Sequence, residues 1–432
     1  MNRPLLVALT AASAIASVRT FGAPWIEEIP PGFYVCDLSY DGSVAAGNVV
    51  GDGSYETFRW TRAGSVEFLG LASVPEIGAG GGSPDISYNG DRISASILSS
   101  DRNVTLGHWN INSGWSEAFP PLPSHVYSQD QTYGSAWGMS GDGKHVTGYY
   151  ISANLASGVQ ACSWAPGGVV TDLPATRARV NAASYDGSVV GGWEDSGFGP
   201  WIPTVWRNGV KYPLSGSLGS TQANSINIDG SIVVGDAPDE WGGMKVATIW
   251  RWNGVEYTQQ DCGYLPETSY SLGGSRFTSV TDDGSIVVGS NQLAFNPGQG
   301  VKAIIWTEAT GLVSGDDFIA SLGLELPENF ELRDFQAISP DGSVIAAAGM
   351  NSDWFTFQTI LIHLREPCPA DTNNDRQVDD ADFVSFAGAY DMLDCSAPGM
   401  PLRCPADLNR DGIVDDADFV LFAGAYDSLV CD

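Results

Sequence analysis

Basic residues are scarce in this chain. Lys and Arg together number 20 against 51 Asp and Glu, giving a formal charge of −31 over 432 residues. Such a field repels phosphate backbones and anionic membrane surfaces. Nucleic acid is therefore not expected as a partner, and multivalent cations or neutral and basic surfaces are. Histidine is scarcer still: His108, His125, His145 and His363 are the only four, and none stands at a metal-binding spacing. There is no Gly-x-Ser-x-Gly elbow and no phosphate loop. Beyond the first residues no apolar run reaches the ~18 residues of a membrane span, so none is expected. Paired carboxylates for glycoside cleavage stay open, because they can come from distant parts of a chain and nothing here selects them. No catalytic residue is assigned.

The hydrophobic content, 43%, is ordinary for a folded chain and sets disorder aside. Met1-Asn2-Arg3, the apolar run Pro4 to Ala16 and the small residues Ala14-Ile15-Ala16 follow the order of a secretory signal, placed at 1–22. The remainder is expected to be secreted, extracellular or at the cell surface. Cys36, Cys162 and Cys262 are scattered and expected as buried, unpaired thiols. Cys368, Cys395, Cys404 and Cys431 crowd the tail, where disulfides are expected and three pairings are open.

Residues 23–365 repeat one pattern: an apolar stretch, Ser-x-Asp-Gly-Ser, a β-branched run ending in Gly, then an aliphatic stretch ending in Trp. Clear copies are Asp41-Gly42 with Trp60, Asp186-Gly187 with Trp206, Asp229-Gly230 with Trp250 and Asp283-Gly284 with Trp306. Weaker ones are Asn89-Gly90 with Trp109, Asp142-Gly143 with Trp164, and Asp341-Gly342, where Ile360 takes the Trp position. Asp-Gly between alternating apolar runs predicts a hairpin with a type I′ turn, positive φ at both central residues. The Trp segment supplies a third strand and the next apolar run a fourth. The turns lie 43 to 58 residues apart (Asp186 to Asp229; Asp283 to Asp341), the length of a propeller blade. The last copy stops after its third strand, Phe355 to Leu364, and Trp25 to Ile29 can supply the missing one and close the ring. The expected fold is an all-β, seven-bladed β-propeller-like domain.

On these residues the repeat region resembles the secreted HAF-repeat proteins, whose units carry Ile-Ser-x-Asp-Gly-Ser-x-Val-Val-Gly and then Ala-Phe-x-Trp. The resemblance spans nearly all of residues 36–364 and implies an extracellular repeat fold without a general catalytic assignment. The stretch from Gly315 to Gly342 is similar to that family's helix-containing link.

The repeated Asp-Gly-Ser could in principle bind calcium or act as a sialidase-type aspartate box. Here Asp and Gly are adjacent, and the turn alone explains them. The recurring Trp, fixed in register on a strand, is expected to pack between blades. The inserts between second and third strands are more individual. Tyr149, Tyr150, Trp193, Trp201 and Trp241, with nearby carboxylates, form a possible ligand face for carbohydrate or protein, or else fold onto themselves.

The tail, 366–432, is the most specific signal. Asp371, Asn373, Asp375, Gln377, Asp379 and Asp382 are matched 36 residues on by Asp407, Asn409, Asp411, Ile413, Asp415 and Asp418. Oxygen side chains at places one, three, five, nine and twelve, with a backbone carbonyl at seven, suit calcium. Each loop runs into the same helix, Phe383 to Asp391 and Phe419 to Asp427. This duplicated loop-helix unit resembles a type I dockerin, a small α-helical calcium-binding module. The resemblance implies two Ca2+ sites and a cohesin-like or other cell-surface protein as partner, met through Asp380-Ala381 and Asp416-Ala417. Arg376 departs from the pattern where the second loop has Gly412. The antiparallel packing of dockerin units implies pairing of Cys368 with Cys431 and of Cys395 with Cys404.

The function these features imply is a secreted, non-catalytic binding or structural protein displayed through its tail. The alternative is a dockerin-bearing polysaccharide-degrading enzyme.

Overall fold

The computed structural model describes residues 23–426 apart from 52–53, 63, 71–81, 100–102, 119–132, 153–157, 196–198, 216–219, 242, 270–272, 294–299, 354–355, 367, 369, 373–376, 396 and 410–411. The signal expected at 1–22 lies outside the described residues. No helix among them is long and apolar enough to cross a membrane.

Each motif copy folds into an antiparallel run of strands. The first runs Phe33–Leu38, Val44–Gly51, Ser54–Thr61 and Ser65–Phe68, hydrogen-bonded in that order. Similar four-stranded sheets open at Asp85–Ile86, Gly134–Met139 and Arg177–Ala183. Runs opening at Gln222–Ile226 and Gly274–Val280 join into one eight-stranded sheet through a single parallel pair, Lys245 with Gly274. The last sheet, Phe330–Ile338, Val344–Asn351 and Thr356–His363, takes its fourth strand from the other end of the chain. Trp25–Glu28 pairs with it antiparallel, Trp25 opposite His363 and Glu28 opposite Ile360. The region is a β-propeller-like repeat fold. Three short helices complete the described elements: α1 (Gly315–Ser321), in the stretch where the link helix was expected, and α2 (Asp380–Tyr390) and α3 (Asp416–Tyr426) in the tail.

The hairpin turns differ from the expected type I′. Only the Gly is left-handed (Gly42 φ 63°, Gly230 φ 70°), while no turn Asp has positive φ. The Gly N–H donates to the carbonyl three residues back, Gly42 to Ser39 at 2.9 Å. The Asp41 carboxylate accepts from Ser39 Oγ (3.3 Å), Ser43 N (3.0 Å) and Ser43 Oγ (2.6 Å). The same arrangement recurs at Asp186, Asp283 and Asp341. The carboxylate is thus spent on the turn, which frees Asp from the left-handed conformation that a type I′ turn would demand.

Register is uniform around the repeats. The residue four beyond the turn Asp faces the Trp: Ala45 with Trp60, Val233 with Trp250, Val287 with Trp306. In the last copy Ile345 faces Ile362, so Ile362, not Ile360, holds the Trp position. These Trp side chains are buried, and the core lies between neighbouring sheets. One cluster joins Val35, Phe58 and Trp60 of the first copy to Ala337, Val344 and Leu361 of the last. The turns are also linked. Backbone N–H groups of Tyr40, Tyr88, Asp142, Tyr185, Asp282 and Asp341 donate to the carbonyls of Tyr88, Gly141, Tyr185, Ile228, Pro340 and Tyr40. Asn227 Nδ2 donates to the Asp282 carbonyl, so the circuit returns to its start.

Gly42 is needed twice over, for its φ and because a Cβ there would meet Val344 Cβ at 2.5 Å. Gly64 has φ 81° but opens onto free space. Gly64→Ala is expected to cost about 1 kcal/mol from backbone strain alone, and Gly42→Ala about 3 kcal/mol once the overlap is added. Thermal unfolding of the two variants checks this; equal losses would contradict the packing of turn against neighbouring sheet.

His363 joins the closing strand to the fold. Its ring stacks on Trp25 with centroids 3.7 Å apart. Nε2 is 3.1 Å from Glu27, and Nδ1 is 2.9 Å from Arg62 Nη2. The neutral tautomer with Nε2–H satisfies both partners, donating to Glu27 and accepting from Arg62. Burial lowers the pKa of His363 below its ordinary 6.5. A depressed folded-state pKa contributes stability that is full above the unfolded value and lost as pH falls through the folded one. The melting temperature is therefore expected to fall between pH 7 and pH 5 more steeply in the natural chain than in His363→Gln.

Candidate functional site

The innermost strands carry β-bulges at matching places, with shifts between Val35 and Asp37, Ala136 and Gly138, Val180 and Ala182, Ala223 and Ser225, and Phe277 and Ser279, and again between Phe335 and Ala337. A bulge re-aims a side chain. Here the extra residues Cys36, Trp137, Asn181, Asn224, Thr278 and Gln336 all line one central cavity of about 270 Å³.

Part of this lining is stitching. Asp37 accepts from Ile86 N at 3.0 Å and Asp85 from Met139 N at 2.8 Å. Asn181 Nδ2 donates to the Ala223 carbonyl (2.8 Å), and Asn224 Nδ2 to that of Phe277 (2.7 Å). Asp37 and Asp85 are also hydrogen-bonded to each other, and burial raises the pKa of both. Two carboxyl groups in contact hold one proton between them.

Charged groups lining the cavity or packed behind its lining differ in how they are compensated. Arg276 Nη2 lies 3.2 Å from Asp334, which raises its pKa. Asp236, 3.7 Å from Lys245, is pushed by burial up to about 6. Arg179 has neutral partners: Nε donates to Asn181 Oδ1 at 2.8 Å and Nη2 to Gln222 Oε1 at 2.9 Å. Its guanidinium lies over the Trp137 ring, 3.5 Å from the centroid, and 5.6 and 5.7 Å from the rings of Trp193 and Trp201. Burial lowers its pKa to about 10, which leaves it charged at neutral pH.

Three of the five expected ligand-face residues converge here. Trp193 and Trp201 stack with centroids 4.1 Å apart, and Tyr149, its hydroxyl pKa raised by burial, lies close enough to Arg179 to feel its charge. Two do not. Tyr150 is turned into the core, its hydroxyl donating to Asp172 at 2.7 Å, because adjacent strand residues face opposite sides. Trp241 is 75% exposed and stands apart. Sequence reasoning missed Trp137, Arg179 and Gln222. The available signal was a cation on a copy's first strand in a chain poor in cations.

Tyr88, which lines the cavity, packs against Tyr40 and Tyr185 with ring centroids 5.8 and 5.3 Å away. Arg403, from the tail, lies over Tyr40 at 3.6 Å. Cys36, Cys162 and Cys262 are free; Cys162 is buried, the other two half-buried.

In the tail, α2 and α3 run antiparallel. Tyr390, ending α2, donates to Asp416 at 2.6 Å, and Tyr426, ending α3, donates to Asp380. Asp380 and Asp416, expected to face a partner, thus also bond within the module; Ala381 and Ala417 are exposed. Phe386 and Phe422 stack between the helices at 4.9 Å. The two units close alike. Asp382 Oδ1 accepts from Thr372 N (2.7 Å) and Oδ2 from Asp379 N (3.0 Å), while Asp418 accepts from Asn409 N (2.9 Å) and Asp415 N (3.0 Å). Asp382 and Asp418 are fully buried, and Asp371 is buried beside its loop. Asp407 accepts from Gly412 N at 2.8 Å, folding the second loop back on its first ligand position. Gln377, Asp379, Ile413 and Asp415 flank the helix starts. Asn373, Asp375 and Asp411 lie outside the described residues. The set is hard oxygen throughout, which fits calcium.

Cys395 is bonded to Cys404, with Cα atoms 5.4 Å apart. Cys368 is disulfide-bonded too, and its expected partner Cys431 lies outside the described residues.

No family model matches the chain, and no curated protein matches its sequence. Among solved structures it is similar to the β-propeller domain of the Trilobed protease from Pyrococcus furiosus, at 10% identity over 80% of this chain and 94% of that one, TM-score 0.47. It is also similar to TolB from Acinetobacter baumannii, at 11% identity over 76% of this chain and 66% of that one, TM-score 0.40. The chain thus spans just under two thirds of that protein's length.

Proposed function

We propose that the chain is a secreted, non-catalytic binding or structural protein in which a seven-bladed propeller is displayed through a dockerin-like module that binds two Ca2+ ions. The observation that carries this reading is the duplicated closure of the tail. Two loops 36 residues apart each bury the acid at their twelfth place and use it to hold the loop against the following helix. Calcium bound by Asp371, Asp379 and Asp382, and by Asp407, Asp415 and Asp418, would neutralise clustered carboxylates and fix both loops. The paired helices would then present one exposed face, Phe383 and Val384 of α2 with Phe419 and Val420 of α3, to a cohesin-like or other cell-surface partner. Seven motif copies and a circuit of turn bonds that returns to Tyr40 support the blade number.

The Asp37–Asp85 pair in the cavity favours the second reading, a polysaccharide-degrading enzyme. Against it, both carboxyls already bind backbone N–H groups of neighbouring strands, which is a structural occupation. Asp85→Asn is expected to leave the protein without any polysaccharide cleavage to lose.

The anchoring is tested on the full chain in the cells that make it. Washing with a calcium chelator should release the protein from the cell surface, and restoring calcium should return it. A protein found in the medium regardless of calcium would refute the display.

A further inference from the structure

We infer that the cavity mouth around Arg179 is an oxyanion site, built to take a carboxylate or sulfate group carried by a small ligand. The inference rests on the reading of the propeller as a binding element and adds the ligand's chemistry.

The donors here outnumber their acceptors. Arg179 spends Nε and Nη2 on two amide oxygens, and no hydrogen bond of the described residues involves Nη1. Among the described ion pairs, Arg177 has Asp195, Lys211 has Glu194 and Arg276 has Asp334, while Arg179 has none. That is notable in a chain with 51 acids to 20 bases. Trp137 and Trp193, whose rings flank the guanidinium, each carry a buried indole N–H with no acceptor among the described residues. Trp193 is only 4% exposed.

A buried donor without an acceptor costs about 1–3 kcal/mol. A site that keeps two such donors beside a desolvated guanidinium is arranged for an acceptor from outside. Indole N–H and guanidinium groups can only donate, so the complement is an acceptor with negative charge. The side of Arg179 formed by Nε and Nη2 is held by Asn181 and Gln222, and the stack on Trp137 fixes its plane. The remaining edge is therefore pre-oriented for a planar carboxylate or for two oxygens of a sulfate. Asn181 and Gln222 present their oxygens to the arginine, so no negative group competes with the ligand.

Tryptophan fluorescence of the calcium-loaded full chain, titrated with glucuronate, glucose 6-sulfate, inorganic sulfate and glucose, tests the site. Saturable quenching by glucuronate or glucose 6-sulfate, without response to glucose, is expected, and the stronger of the two names the group. Response to inorganic sulfate alone would mean adventitious anion binding and overturn the proposal. Arg179→Gln should weaken binding about 10- to 100-fold, the size expected for losing a charge-assisted bond. Trp193→Phe keeps an aromatic face but loses the five-membered ring with its N–H, so a smaller loss of affinity, measured well below that variant's own melting temperature, separates ligand contact from folding. Equal responses to glucose and glucuronate, or undiminished binding in both variants, would overturn the inference. Calcium binding by the tail, measured on the same samples, is untouched by either outcome.

Discussion

Removing residues 23–29 is expected to destabilise the repeat domain by roughly 5 kcal/mol, the largest effect of any short truncation here. Ile29 is fully buried in the cluster shared by the first and last copies, and Ile26 packs on the neighbouring one. Burying two such side chains accounts for about 3–5 kcal/mol. The rest comes from the edge exposed along Thr356–His363, which loses its ladder with Trp25–Glu28 and the bond from Ile29 N to the Thr359 carbonyl at 3.1 Å. The repeat region begins and ends on this sheet, so losing the strand leaves its outer edge unpaired. The melting temperature should drop sharply and dye binding to exposed apolar surface should rise. A truncated chain that melts like the intact one would show that the ring is held elsewhere.

Replacing both Asp382 and Asp418 by Ala is expected to unfold the tail while leaving the repeats folded. Each buried carboxylate accepts from two backbone N–H groups that would be left unsatisfied, at about 1–3 kcal/mol apiece. Each also belongs to the acidic loop proposed to bind calcium, whose folding energy would then include that of the cation. The Cys395–Cys404 bond, closing a separation of only 9 residues, cannot replace that support, because a short closed loop restrains the unfolded chain least. Hydrogen exchange should show α2 and α3 losing protection in the double variant, and in the natural chain on chelation. Protection retained in both would contradict the role given to these acids.

Much of the fold was legible because its signals are local. Asp-Gly, or Asn-Gly at Asn89, marked each turn, and in all copies but the last a Trp marked the third strand at a constant place in register. The missing fourth strand of the last copy pointed to Trp25–Glu28, which pairs there. The turn type was not legible. Asp41 could have taken a left-handed conformation, but its carboxylate found Ser39 and Ser43 instead, a choice between two local solutions that composition alone does not settle. The same holds for Ile362, where register, not residue size, identifies the Trp equivalent.

The site was legible only in part. Trp193 and Trp201 stood out as aromatic residues in an individual insert, and they do stack. Tyr149 and Tyr150 looked alike in sequence, yet strand alternation sends one toward Arg179 and the other into the core. Arg179, Trp137 and Gln222 come from three different copies, each unremarkable in its own. Only the bulged inner strands bring them together, so no reading of spacing within one repeat could have found them.

The account depends most on calcium in the tail. Isothermal titration of calcium into the chelator-stripped full-length protein tests this directly. Two ions per chain are expected, falling to one in Asp418→Ala and to none when Asp382→Ala is added. Absence of binding at millimolar calcium, or binding that survives both substitutions, would contradict the account.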